Sequence, residues 1–286
     1  MDFDGAVGEL IGGENNGLKC MFTMMNNARL CVGLQGVALA ERAYQHALAY
    51  ANERVQGKSF KNGERVVIAH HADVRRMLLD MKARVTTGRL MAYNAALELD
   101  KAISGDRDAR ARVNFLTPIV KGWCTDMAVH VASVGIQIQG GMGFIEETGA
   151  AQYYRDARIL PIYEGTNGIQ AADFVFRKIL RDDGALAMVY IKEMEGQVDG
   201  TYLNALTRAT DTLISLGKDG DLDHVSWVST PYLEAFSLIL GGAMIEKAEQ
   251  TKGVTESKDG NMMMGEHKFY RESILPCSLG ILSSIL

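Results

Sequence analysis

Proline is scarce in this chain, with four residues among 286. Few helix breakers and plentiful Ala, Leu and Met favour a mostly helical protein. The four cysteines (Cys20, Cys31, Cys124 and Cys277) stand far apart, and no Cys-x-x-Cys pair occurs. Neither a zinc motif nor a dithiol redox motif is therefore expected, and a reducing compartment fits. Histidine does not fill the gap. His70 and His71 are adjacent, so their rings do not share a face, and His130 has no ligating partner at helical spacing. No metal site is expected. A net charge of -5, with no basic patch interleaved with aromatics, argues against nucleic-acid binding. No Gly-x-Ser-x-Gly run supports hydrolase chemistry. The longest apolar stretch, around Ser237 to Ile245, is too short to span a bilayer and contains Gly241-Gly242. The acidic start Met1-Asp2-Phe3-Asp4 lacks the apolar segment of a signal peptide, and a cytoplasmic location is expected. No fixed-period repeat is visible.

What is there is helical periodicity. Val7, Leu10 and Ile11, followed by the turn cluster Gly12-Gly13-Glu14-Asn15-Asn16-Gly17, read as a strand remnant and a turn. From about 18 to 55, Leu30, Leu34, Val37, Ala40, Tyr44, Ala47 and Ala51 form one apolar stripe. Gly57 to Gly63 is a polar break. A second helix is predicted over 71–102 through Val74, Leu78, Met81 and Val85. A third is predicted over 112–135 through Ile119, Trp123, Met127, Val131 and Val134. After the glycine cluster at 140–143 comes a short helix over 146–158. A last one then buries Ile169, Ala172, Phe176 and Ile179. Long amphipathic helices with short connections predict an all-α antiparallel four-helix bundle. Asp182-Asp183-Gly184 marks a boundary, and three weaker helical patterns beyond it predict a small helical C-terminal appendage. The expected division is thus 1–17, 18–183 and 184–286. Gly253 to Gly260 reads as a polar loop, and Met262-Met263-Met264 as gap filling or a mobile loop.

The chain is organised around Pro161-Ile162-Tyr163-Glu164-Gly165-Thr166-Asn167-Gly168-Ile169-Gln170. Pro161 stops what precedes it, and Thr166 or Asn167 can cap the helix starting near Ile169. Glu164 then stands on a tight turn outside a helix N-terminus. Beside it Gly165 lets a ligand approach the backbone. A carboxylate presented this way can be a general base if its surroundings are apolar enough to raise its proton affinity, or a plain surface acid at a helix entry. It is expected to face a groove lined by Gly140 and Thr166. Gly140-Gly141-Met142-Gly143 follows a helix and lacks a surrounding βαβ unit, so a Rossmann reading fails. Its backbone N–H groups could still approach a cofactor, or the run could be an ordinary interhelix turn. Arg29, Arg54 and Arg155 could each grip a phosphate or form a surface ion pair.

Tyr154-Arg155-Asp156-Ala157-Arg158 with Tyr163-Glu164-Gly165-Thr166 resembles the signature near the C-terminal end of acyl-CoA dehydrogenases. Gln137-Ile138-Gln139-Gly140-Gly141-Met142-Gly143-Phe144 resembles that family's other signature, and the spacing, 164 minus 137, or 27, is the family's. Ala40-Glu41-Arg42-Ala43 through Glu53-Arg54 resembles its first bundle helix. The resemblance covers about 1–182. The run Arg54-Val55-Gln56-Gly57 and the helical tail after 184 resemble the branch of the family that includes the 3-methylmercaptopropionyl-CoA dehydrogenases. The resemblance implies FAD-dependent α,β-dehydrogenation of an acyl-CoA thioester. In it, Glu164 is the catalytic base and its backbone N–H helps polarise the thioester carbonyl. Arg54, Gln137, Ile138, Gly140 and Gly141 hold FAD across a subunit interface, and Thr166 lies near the FAD of its own subunit. Arg29, Tyr163 and Gly165 lie at the substrate. A homo-oligomer and an electron-transferring flavoprotein as acceptor are also implied. Gly57 and Gly168 depart from the pattern where relatives carry Phe and a polar side chain. The family's N-terminal helical domain and most of its β-domain have no counterpart here, so the chain reads as part of a longer protein. A non-catalytic helical module that oligomerises or binds CoA is the alternative.

Overall fold

A computed structural model of the chain describes residues 2–251 and 265–286. The run at 253–260 and Met262-Met263-Met264 lie outside the described residues. Helix dominates. Three long helices come first: α1 (Gly17–Glu53), α2 (Ala72–Ile103) and α3 (Arg107–Gln139). Shorter ones follow: α4 (Gly141–Phe144), α5 (Ala150–Ile159) and α6 (Asn167–Phe174), which runs on through a π-turn at Val175–Ile179. Beyond Gly184 come α7 (Ala185–Glu193), α8 (Gly200–Asp219), α9 (Leu222–Gln250), α10 (265–269) and α11 (Cys277–Ser283). The break after α1 holds a small antiparallel hairpin, β1 (Val55–Lys58) with β2 (Arg65–Val67), pairing Val55 with Val67 and Lys58 with Arg65. Gly63, at φ +71°, sits in its turn.

The expected helices form, with shifted ends. α3 starts five residues before the expected 112, because the side chain of Asp106 accepts from the N–H of Ala109 at 3.0 Å and caps it. Its first turn is polar, so apolar periodicity does not reveal it. The strand expected before residue 17 does not form among the described residues. Val7, Leu10 and Ile11 stand exposed there, and a lone strand has no ladder to join.

α1 and α3 pack through small residues. A β-carbon on Gly36 would stand 2.6 Å from the backbone oxygen of Cys124, and one on Gly33 2.6 Å from Val120 Cγ1. Ala40, Ala43, Ala47 and Ala51 continue the buried seam. Because Gly33 and Gly36 take the contact, Leu34 of the predicted stripe is turned out and is 43 % exposed. Ile169 is likewise 55 % exposed, and α6 buries Gln170, Ala171 and Phe174 instead.

The C-terminal region packs on the bundle. On α9, Tyr232 and Phe236 meet Phe115 of α3 and Phe174 of α6 in an aromatic cluster, with Phe115 stacked on Tyr190 of α7 at 4.8 Å between ring centres. The apolar run around Ser237 thus belongs to a 29-residue helix, long and apolar enough by composition to cross a membrane. Yet 78 % of its most apolar window is buried inside the protein.

Replacing Gly36 by Ala should cost about 1–3 kcal/mol, since the β-carbon meets backbone that cannot rotate away. The exposed Gly280, in α11 with open space around it, should tolerate Ala with a gain of up to about 1 kcal/mol. Thermal unfolding of the two variants checks both signs.

Candidate active site at the Glu164 turn

Between α5 and α6 the chain reverses in a tight loop. The N–H of Tyr163 donates to Ile159 O at 3.2 Å, and that of Asn167 to Pro161 O at 2.9 Å. Thr166 is the N-cap of α6 and accepts from the N–H of Ile169. Glu164 has φ +57° and Gly165 φ +87°. The left-handed region suits glycine, whereas a side chain there costs about 1 kcal/mol or more.

Buried donors from three helices hold this conformation. Arg29 of α1, 7 % exposed, donates Nε to Glu164 O at 3.2 Å. Lys121 of α3, 0 % exposed, donates Nζ to Gly165 O and to Asn167 Oδ1, each at 2.8 Å. Gln170 of α6 reaches both carbonyls more weakly, at 3.4 Å. Asn167 is anchored in turn, its Nδ2 donating to Gly122 O at 3.0 Å and to Thr125 Oγ1 at 2.9 Å. All peptide bonds among the described residues are trans. In a trans peptide the N–H points opposite to the preceding carbonyl. With the Glu164 and Gly165 carbonyls drawn inward, the N–H groups of Gly165 and Thr166 face away from the core. Neither they nor the N–H of Glu164 meet an acceptor among the described residues. A half-buried carboxylate beside a row of free donors can take a proton and stabilise a developing oxyanion.

The surrounding charges are tuned by burial. Burial pushes the Lys121 ammonium down to about 8, Arg29 adds to this, and Asp126 and Glu164 oppose it. Burial pushes the Asp126 carboxyl up, against Asn167, Lys121 and Arg158. Burial also raises the Tyr163 phenol, with the Glu164 charge adding to it, and its hydroxyl donates to Gln35 Oε1 of α1.

The structure brings Arg29, Tyr163, Glu164, Gly165 and Thr166 together. It places the other predicted site residues elsewhere in the chain. Arg54 is exposed at the end of α1, 25 residues past Arg29, which is about 37 Å along the helix. Gly140 is 19 residues past Lys121 on α3, about 28 Å. The groove beside Thr166, about 520 Å³, is lined by Asp126, Val129, Arg158, Pro161 and Gly168 among others, but not by Glu164 or Gly140. That corrects the expected pairing of Gly140 with Thr166, and the length of α3 is the reason. At the far end Gln137, Gly140 and Gly141 are exposed, while the side chain of Ile138 is 5 % exposed and packs in the core. Arg155 is engaged by Glu146 at 2.8 and 3.1 Å. His130 is engaged by Asp80 at 2.7 Å, and His71 by Gln56 O at 2.8 Å. No cluster of three metal-ligating side chains occurs among the described residues. Periodicity missed Lys121, Asn167 and Gln170. One signal was available: Lys121 is the only charged residue between Arg112 and Asp126, inside an apolar stretch.

A sequence model of the acyl-CoA dehydrogenase C-terminal domain matches residues 15–178, and the chain belongs to that family. Among its relatives, 3-methylmercaptopropionyl-CoA dehydrogenase of Ruegeria pomeroyi is 56 % identical over 193 residues, covering 65 % of this chain and 33 % of the relative. Two solved structures share the fold. Caenorhabditis elegans ACDH-11 in complex with C11-CoA has a TM-score of 0.74 at 21 % identity, over 95 % of this chain and 47 % of that one. A Bacillus anthracis acyl-CoA dehydrogenase complexed with FAD has a TM-score of 0.65 at 20 % identity, over 94 % and 53 %. The chain spans about a third of the length of the curated relatives it matches.

Glu164→Gly should leave unfolding stability unchanged or raise it by about 1 kcal/mol, because glycine relieves the left-handed strain. A marked loss in a denaturant titration would show that the Glu164 side chain supports the fold. Lys121 gives a pH signature. Its folded value, about 8, lies below the ordinary lysine value of 10.5. Between those values the unfolded chain binds the extra proton, so this residue's contribution to stability rises with pH. The unfolding midpoint of the wild type should therefore gain on that of Lys121→Met across this window.

Proposed function

We propose that this chain carries the base of a flavin-dependent acyl-CoA dehydrogenase, with Glu164 removing the α-proton of an acyl-CoA thioester. The observation that carries the reading is the strained, clamped turn. It presents Glu164 beside three backbone N–H groups that meet no acceptor among the described residues. Strain of this kind persists only where surrounding structure enforces it, and such positions cluster at functional sites. The proton goes to the Glu164 carboxylate, and the Glu164 N–H helps polarise the thioester carbonyl. Arg29 fixes the turn from behind. Tyr163, tethered to α1 through Gln35, and Gly165, with no side chain, border the substrate.

The residues fit a flavin dinucleotide. Gly140 and Gly141 have open space where a β-carbon would stand, and Arg54 and Gln137 are exposed at the same end of the parallel helices α1 and α3. Arg54, Gln137, Gly140, Gly141 and the backbone of Ile138 would hold FAD there, and Thr166 would hold it near the base. When bound, FAD supplies the acceptor for the hydride leaving the β-carbon. The separation of the two groups along α1 and α3 favours a homo-oligomer in which each FAD is held by two copies. The chain covers 33 % of the Ruegeria pomeroyi relative, and the proposed activity is that of a protein with the parts that relative carries besides. The Ruegeria pomeroyi relative makes 3-methylmercaptopropionyl-CoA the first substrate to try. Electron-transferring flavoprotein is the proposed acceptor, and a cytoplasmic location is proposed with it.

In the flavin-loaded protein, Glu164→Gln should keep FAD and bind acyl-CoA, yet bleach the flavin at least about 100-fold more slowly. Undiminished bleaching removes Glu164 from the role of base. A well-folded, oligomeric chain that never takes up flavin would favour the non-catalytic module.

A further inference from the structure

We infer that Lys121 is a positioning residue of this site, holding the Gly165 carbonyl inward so that the Glu164 carboxylate and the Thr166 N–H are presented outward. The inference deepens the proposed function and rests on it. Lys121 touches no reacting atom in this reading. It acts through the backbone.

Three observations converge. First, a fully buried ammonium is rare unless paired, and no carboxylate among the described residues bonds this one. Its bonding partners are instead Gly165 O and Asn167 Oδ1, which flank Thr166 and follow the proposed base. Second, the segment it grips is the one strained there. Glu164 and Gly165 both occupy positive φ, and the Gly165 carbonyl accepts from Lys121 at a shorter distance than from Gln170. Third, peptide geometry links grip and presentation. Turning the Gly165 carbonyl outward would swing the Thr166 N–H inward and release the φ values on either side.

The position of Lys121 on α3 explains why one residue can do this. Gly122 follows it, and a β-carbon there would stand 3.1 Å from Leu233 Cδ2 of α9. Thr125, one turn on, donates to Lys121 O and receives Asn167 Nδ2. The side chain is thus held by α3, braced by α9, and bonded to the first residue of α6. A merely structural lysine would support the bundle as a whole. A positioning lysine governs one loop.

The test uses Lys121→Met beside Leu206→Ala, a core truncation on α8 that destabilises the whole molecule without touching the turn. In the 286-residue chain, exchange of the hydrogen-bonded turn amides of Ile162, Tyr163, Asn167 and Gln170 should accelerate about 10- to 100-fold in Lys121→Met relative to the amides of α3, the range for losing bonds from a charged donor. Leu206→Ala should raise exchange evenly. In the flavin-loaded protein, Lys121→Met should slow flavin reduction by acyl-CoA about 10- to 100-fold, with the thioester dissociation constant within about twofold of wild type. If Lys121→Met does not fold, Lys121→Gln, which keeps a donor without the charge, is read the same way. Wild-type reduction rates in the folded variant overturn the inference, as does exchange that rises only in step with the whole chain. If the loaded wild type is not bleached by any acyl-CoA thioester, the proposed function fails, and the exchange comparison then decides the role of Lys121 by itself.

Discussion

The site depends on two backbone carbonyls being pulled into the protein. Those of Glu164 and Gly165 accept from Arg29 and Lys121, two buried cations on different helices. A left-handed Glu costs about 1 kcal/mol or more, while a hydrogen bond from a charged donor contributes about 1.5–3 kcal/mol. The clamp therefore outweighs the strain even if one bond is discounted. The cations stand close enough for Arg29 to depress the Lys121 ammonium. Their repulsion is tolerated because carbonyl oxygens, with the charges of Asp126 and Glu164, face them. This loop is built to hold a shape the backbone would not choose.

Whether those donors converge is decided elsewhere, at the seam between α1 and α3. Arg29 and Lys121 sit just N-terminal to and beside Gly33 and Gly36 with their partners Val120 and Cys124. The absence of β-carbons there brings the helix backbones together and sets the spacing of the two donors. A larger residue at Gly36 would push α1 from α3 and separate Arg29 from the carbonyl it grips. On the other side of α3, the aromatic cluster of Phe115, Phe174, Tyr190, Tyr232 and Phe236 fixes α6 and α9.

The long helices were legible because their apolar residues recur at the helical period, and the turn at Glu164 was legible because Pro161, Gly165 and Thr166 are punctuation with a mechanism. The family was legible from two separated motifs. What was not legible has common causes. Leu34 and Ile169 match the helical period, but glycine contacts and the shift in the face of α6 turn them outward. The hairpin at Val55–Val67 is too short and exposed to leave an alternating pattern. Lys121, Asn167 and Gln170 act on backbone carbonyls 5 to 45 residues away in sequence, and no residue pattern encodes which carbonyl a buried donor will find. A lone charge in an apolar stretch was the available hint.

The predicted site residues fall into two groups, and helix length separates them. Lys121 and Arg29 tie the Glu164 turn to the middle of α3 and the first third of α1. Arg54 and the Gln137 to Gly141 run lie at the C-terminal ends of those same helices, which point the same way. A rise of about 1.5 Å per residue puts about 28–37 Å between them. A ligand lying across both groups of one chain would have to run along the length of the bundle, over the exposed faces of α1 and α3. A ligand shared between two copies need only bridge the turn of one and the helix ends of the other. The rigid helices that make the clamp possible therefore also keep the glycine-rich run from completing the site of its own chain, and they make assembly part of the chemistry in the proposed reading.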